Sequence, residues 1–146
     1  MSDRFFLDTN VLAYTFDVGA PKKARVATKL VHHAIGTRQG VVSFQVVQEF
    51  FQVAFRRFPD PFSVADAEQY LATVFRPLLA VHSSPALYLE GLRLRSKFRL
   101  AWYDSLIVAA ALQAECETLY SEDFQHGQEI EGLQIQNPFL MDERKN

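Results

Sequence analysis

The chain has 146 residues, enough for one folded domain and short of two. Hydrophobic residues make up 49% and charged ones 22%, which is ordinary globular composition and rules out a disordered chain. A net charge of −2 and a pI near 6.1 argue against a strong non-specific nucleic-acid binder, though not against an enzyme with a local basic patch.

Along the chain, strand-like and helix-like segments alternate. "RFFLD" (Arg4 to Asp8) reads as a short buried strand. From Lys22 to Ile35, Ala24, Ala27, Leu30, Val31, Ala34 and Ile35 recur at helical spacing, with Gly36 as the stop. "GVVSF" (Gly40 to Phe44) predicts a second strand. "QVVQEFFQVAFRRF" (Gln45 to Phe58) predicts a helix ended by Pro59 and Pro61. "SVAD" at Ser63 is a capping-box-like start for a helix from Val64 to Phe75. "LLAVH" (Leu78 to His82) is a third strand. Ser84 and Pro85 then open a helix running to about Phe98. Another helix follows from about Tyr103 to Glu115, then strands at Thr118 to Ser121 and Leu133 to Asn137.

Strands separated by helices imply crossover connections. The expected fold is one compact doubly wound α/β domain with a mainly parallel sheet of about five strands. No repeat or linker divides residues 1 to 146, and residues 141 to 146 read as a short polar tail. The longest apolar run, Leu106 to Leu112, is far below the roughly 20 residues of a membrane span. The chain opens with no signal-peptide pattern, and its single cysteine, Cys116, sits in an apolar pattern. A buried thiol in a reducing cytoplasm is the simplest reading.

In open parallel sheets, ligands bind beyond the carboxyl ends of the strands. Asp8 and Asp123 fall at that edge. Asp104 begins an apolar helix, and Glu49 lies in the helix after the second strand. Taken singly, each has an ordinary explanation. Asp104 reads as a cap or first-turn aspartate, Asp8 with Thr9 and Asn10 as an Asx turn, Glu49 as a solvated charge, and Asp123 as a turn cap. Together, four converging carboxylates repel one another unless cations neutralise them. Oxygen ligands without thiol or imidazole support suit Mg²⁺ or Mn²⁺ rather than Zn²⁺, and Mg²⁺ is commonly held jointly with substrate phosphates. The four histidines lack zinc-ligand spacing.

These segments resemble the PIN-domain ribonucleases, and most closely the VapC-type toxins of toxin–antitoxin pairs. The resemblance rests on "FLDTNVLAY" (Phe6 to Tyr14), "VVQEF" (Val46 to Phe50), "WYDSLIVAAAL" (Trp102 to Leu112) and "LYSEDFQHG" (Leu119 to Gly127), closed by "IQNPF" (Ile135 to Phe139). It implies a single-stranded RNA endonuclease using one or two Mg²⁺ or Mn²⁺ ions. The implied acidic quartet is Asp8, Glu49, Asp104 and Asp123, with Asn10 ordering the site. Glu122, adjacent to Asp123, is the alternative fourth ligand. The resemblance further implies a homodimer silenced by a cognate antitoxin.

Arg93, Arg95, Lys97 and Arg99 precede Asp104. They read equally as a solvated helix end or as phosphate contacts for RNA. Phe51, Phe55 and Phe58 follow an i, i+4, i+7 course opposite Glu49, which predicts core packing, or else a groove for a partner helix. Two other readings remain. One is a catalytically silent PIN-fold RNA-binding or scaffold module. The other is a haloacid-dehalogenase-like phosphatase, which needs an aspartate where this chain has Asn10.

Overall fold

The structure, a computed structural model, describes residues 3–140, so the expected polar tail lies outside the described residues. A six-stranded sheet runs in the order β3-β2-β1-β4-β6-β5. Its strands are β1 (Phe5–Leu7), β2 (Gly40–Ser43), β3 (Leu79–Val81), β4 (Thr118–Tyr120), β5 (Glu129–Ile130) and β6 (Leu133–Gln136). β1 pairs in parallel with β2 on one side and with β4 on the other. β2–β3 and β4–β6 are also parallel. Only the edge strand β5 is antiparallel, joined to β6 through Glu131 and Gly132, both at positive φ. β5 is the sixth strand, which the sequence pattern does not announce. β5 is two residues long and too short to show a period.

The helices are α1 (Thr9–Tyr14), α2 (Pro21–Thr37), α3 (Phe44–Arg56), α4 (Val64–Tyr70), α5 (Arg76–Leu78), α6 (Pro85–Phe98) and α7 (Trp102–Gln113). Several starts follow the expected chemistry. Ser63 and Asp66 form a reciprocal capping box, and the Ser84 hydroxyl accepts from the Leu87 amide ahead of α6. Other details differ from expectation. α1 was not anticipated, because six residues with two buried side chains carry little periodic signal. α2 does not stop at Gly36; it runs to Thr37 and turns off at Arg38 in the left-handed conformation. The helix expected from Val64 to Phe75 widens into a π turn over Leu71–Phe75 before α5.

The central strands β1 and β2 are buried along their whole length, as parallel strands covered on both faces require, whereas β3, β4, β5 and β6 are buried only in part. α7 is buried along Ser105 to Ala111, so it forms the floor of the core rather than an amphipathic cover. Two glycines mark close approaches. A Cβ on Gly40 would stand 2.2 Å from Ala34 Cβ, so only glycine lets β2 lie against α2. A Cβ on Gly91 would meet Leu106 Cδ2 at 2.8 Å, where α6 packs on α7.

Several of the chain's 13 phenylalanines gather in one cluster. Phe50 is fully buried and stacks on Tyr70, with centroids 4.5 Å apart, and Phe16, Phe58, Phe62 and Phe75 surround it. The expected stripe is therefore only partly core. Its centre is Phe50, which lies outside that stripe. Phe51 stacks on Phe55, and Phe55 remains 43% exposed. The cluster ties α1, α3 and α4 together and so fixes α3 beside the carboxyl edge of the sheet. Cys116 is buried, and burial pushes its thiol up to about 12, which leaves it inert as a nucleophile. Among the described residues, no helix is long and apolar enough to cross a membrane.

Candidate active site

The strand order reverses at β1, with β2 and β3 on one side and β4, β6 and β5 on the other. This topological switch point opens a crevice beyond the carboxyl ends of β1 and β4. Asp8 is the first residue past β1, and its amide donates to the Tyr120 carbonyl at the end of β4 (3.1 Å). Ser121, Glu122 and Asp123 are the first three residues past β4. A cleft of about 1250 Å³ occupies this edge, and Asp8, Glu49, Asp104 and Asp123 all line it. The four residues singled out in the sequence are thus delivered to one cleft by β1, α3, α7 and β4.

Asp8 is only 5% exposed. One carboxylate oxygen accepts from the Thr9 amide at 2.8 Å, capping α1, and the other accepts from the Ser121 hydroxyl at 2.7 Å. Asp8 is therefore both the helix cap and the deepest carboxylate of the site. Burial pushes its carboxyl up to about 7. The Ser121 and Thr9 hydrogen bonds oppose that rise, and the charges of Asp123 and Glu49 add to it. Asp104 lies in the first turn of α7, whose cap residue, Ala101, has no capping side chain. Its carboxyl is raised by burial and then by the charges of Asp123 and Glu49. The two aspartates thus share the same two acidic neighbours.

Thr9 donates its hydroxyl to Glu49 Oε1 at 2.9 Å, fixing α3's carboxylate relative to α1. Asn10 spans the two strand ends. Its amide nitrogen donates to Ser121 Oγ at 3.4 Å, and its carbonyl oxygen accepts from the Glu122 amide at 3.2 Å. That arrangement holds Asn10 between β1 and β4 and leaves no proton-transferring group at this position, as a phosphatase of the haloacid-dehalogenase kind would need. Glu122 also lines the cleft, but its carboxylate accepts from Tyr14 Oη (2.7 Å) and Lys23 Nζ (2.6 Å). Lys23 neutralises Glu122, whereas Asp123 is exposed and its amide donates to Ser121 Oγ (3.1 Å).

Sequence reasoning did not single out Ser121 or Thr9, nor Tyr14 and Lys23, which occupy the carboxylate of Glu122, the alternative fourth ligand. Ser121 is fully buried and bonds Asp8, Asn10 and Asp123 at once. Its position at the carboxyl end of β4, two residues before Asp123, was the available signal. The basic residues of α6 do not line the cleft. Arg93 pairs with Glu90 and Glu131, Lys97 with Glu131, and Arg95 donates to the Leu100 carbonyl. Two arginines not singled out, Arg56 and Arg57, line the cleft instead.

As a cation site, the cleft offers an all-oxygen donor set in which burial, and then like charges, raise two carboxyls. Among the described residues, no three acidic, imidazole or thiol groups form a ready-made ligand cage. Carboxylates that share a cleft without closing on one point suit an ion that keeps several waters and completes its shell with substrate oxygens, as Mg²⁺ does. The residues fit such an ion.

The sequence matches the PIN domain family over residues 5–128. No curated protein matches it. Among solved structures, a toxin–antitoxin complex from Klebsiella pneumoniae is similar at 18% identity and a TM-score of 0.66, covering 91% of this chain and 96% of that one. VapC20 of Mycobacterium tuberculosis, described as a sarcin–ricin loop cleaving toxin, is similar at 19% identity and a TM-score of 0.61, covering 82% and 89%. FitAB bound to an IR36 DNA fragment is similar at 18% identity and a TM-score of 0.67, covering 92% and 95%. At these identities the likeness is one of fold: a six-stranded, mostly parallel sheet with helices on both faces, of the kind found in VapC-type toxins. With the sequence match spanning most of its length, the chain belongs to the PIN domain family.

Proposed function

We propose that this chain is a Mg²⁺- or Mn²⁺-dependent endoribonuclease of the VapC type, acting on single-stranded RNA or on single-stranded stretches of a structured RNA. The observation that carries the reading is the convergence of Asp8, Glu49, Asp104 and Asp123 on one cleft, with the carboxyls of Asp8 and Asp104 raised by burial and then by their acidic neighbours. Membership of the PIN family supports it, as does the likeness to proteins described as toxins, one of which cleaves RNA.

In this reading Asp8 and Asp104 are the central ligands of one or two ions, and Glu49 and Asp123 support them. When bound, the divalent ion supplies the charge that lowers the pKa of an attacking water and offsets the phosphodiester's charge. The chain's own residues do the positioning. Ser121 and Thr9 fix both oxygens of Asp8, Thr9 fixes Glu49, and Asn10 ties the β1 and β4 ends into one rigid edge. Lys23 keeps Glu122 paired, so Asp123 is the β4-end carboxylate left for the ion. The same reading makes the chain a cytoplasmic toxin, a homodimer, silenced by a cognate antitoxin protein.

The test is cleavage of a mixed RNA pool by purified protein with Mg²⁺, Mn²⁺ or EDTA, beside Asp8→Asn. Metal-dependent cutting that disappears in the variant is expected. Folded, inhibitor-free protein that cuts under no metal would instead make this a catalytically silent RNA-binding or scaffold module.

A further inference from the structure

The cleft is larger than its carboxylates require. At about 1250 Å³ it exceeds the roughly 300–1,000 Å³ typical of small-molecule pockets. One wall is α3, on which Gln48, Gln52 and Arg56 recur every four residues. All three line the cleft and all three are exposed. At 1.5 Å per residue they form a row about 12 Å long beside Glu49, the length of roughly three or four stacked nucleotides of one strand. Arg57 lines the cleft just past the end of the row. At the row's beginning, Gln45 donates to the Tyr103 carbonyl at 3.2 Å, and Tyr103, next to Asp104, is 65% exposed.

Three features of this wall point to a polymer ligand. The guanidinium groups of Arg56 and Arg57 have no acidic partner among the described residues, whereas Arg93 and Lys97 are matched by Glu90 and Glu131. Gln45, which also lines the cleft, is only 5% exposed, and its Oε1 is a buried acceptor with no hydrogen-bond partner. Along α3, Gln52 stands between Glu49 and Arg56, and the exposed ring of Tyr103 lines the same cleft beside Asp104.

We infer that this wall of α3, together with Tyr103, is the track that binds single-stranded RNA. The inference rests on the ribonuclease reading and assigns its substrate-binding residues. Tyr103 stacks a base beside the carboxylates, Gln48 and Gln52 hydrogen-bond base edges, and Arg56 and Arg57 hold backbone phosphates at the far end. Stacking on an exposed aromatic ring is sequence-tolerant, whereas amide contacts to base edges discriminate, so Gln48 and Gln52 set the cleavage preference.

The experiment measures binding of a short, labelled single-stranded RNA of random sequence by fluorescence anisotropy across a salt series. It uses an Asp8→Asn background that leaves the RNA uncut, and runs beside cleavage kinetics of the parent protein. Each phosphate contact on a single strand contributes about 0.7 to the logarithmic salt slope. R56Q/R57Q is therefore expected to lower the slope by about 1.4 and raise KM with kcat nearly kept, and R56K/R57K to restore the slope. Y103A is expected to weaken binding about tenfold or more. Q48A/Q52A is expected to change which sites in the pool are cut. A parent protein that cuts RNA while R56Q/R57Q leaves slope and KM unchanged overturns the track alone. Loss of slope in R95Q/R99Q instead would move the RNA to α6. A parent that neither binds nor cuts defeats the ribonuclease reading, and the track with it.

Discussion

Replacing Asp8 with asparagine removes a carboxylate that folding buries, and its effect on stability should depend on pH in a defined way. The carboxyl ionises near pH 7 in the folded chain, against an ordinary value of 3.8. At roughly 1.4 kcal/mol per unit, ionised Asp8 weakens the metal-free fold by about 4 kcal/mol above pH 7 and by less than 2 kcal/mol at pH 5. The sign follows from proton binding. The folded carboxyl holds its proton more tightly than the unfolded one, so stability falls as pH rises from about 4 and levels off past about 7.

Asparagine keeps the acceptor for the Thr9 amide but turns an NH₂ towards Ser121 Oγ, which already accepts from Asp123 and Asn10. The Ser121 hydroxyl then loses its acceptor, which costs about 1–2 kcal/mol at any pH. The variant should therefore match wild type near pH 5 and exceed it by about 2–3 kcal/mol at pH 8. Urea denaturation of both proteins in EDTA at the two pH values measures this directly. A stability difference that is the same at pH 5 and pH 8 would refute the argument, because it would mean that Asp8 is not held in an unfavourable charge state.

Two other substitutions separate the site from its frame. Ser121→Ala removes the hydrogen bond that holds Asp8's pKa down and the acceptor for the Asp123 amide. Under the ribonuclease reading, the acid limb of the pH–rate profile should move to higher pH and the rate should fall about 10- to 100-fold. A rate loss with an unmoved profile would make Ser121 a packing residue only. Gly40→Ala drives a methyl to 2.2 Å from Ala34 Cβ between β2 and α2. It should lower stability by about 3 kcal/mol or more, read as a drop in the urea midpoint, because neither backbone can withdraw without breaking the β1–β2 register.

The fold was legible where hydrophobic period and cap chemistry agreed. β1, β2 and the long helices carry runs of one period, and Ser63 and Ser84 name their helices by the hydrogen bonds they make. It was illegible where an element is too short to have a period, as in α1 and β5, or where sequence position misleads. Gly36 reads as a helix stop, yet the chain turns at Arg38, whose amide bonds the Ile35 carbonyl in the left-handed conformation. Phe50 escaped the predicted stripe because its partners, Tyr70, Phe62 and Phe16, come from three other segments.

The site divides along the same line, for a reason rooted in chemistry. Taken singly, each carboxylate could be a cap, a turn residue or a solvated charge; all four could be named before their cleft was seen because strand ends and helix starts recur with acidic residues along one chain. Ser121 and Thr9, which were not named, act through hydrogen bonds between the ends of β1, β4 and α3. Those bonds exist only after the strands pair, and serine or threonine at such positions also serves ordinary turns. The cations show the limit most clearly. Arg93 and Lys97 stood close to Asp104 in sequence, but α6 carries them to Glu90 and Glu131. Arg56 and Arg57, distant along the chain from every member of the acidic quartet but Glu49, line the cleft because the Phe50 cluster fixes the direction in which α3 runs. Proximity in sequence selects a helix neighbour; which charge faces a substrate is decided by the packing of the helix that bears it.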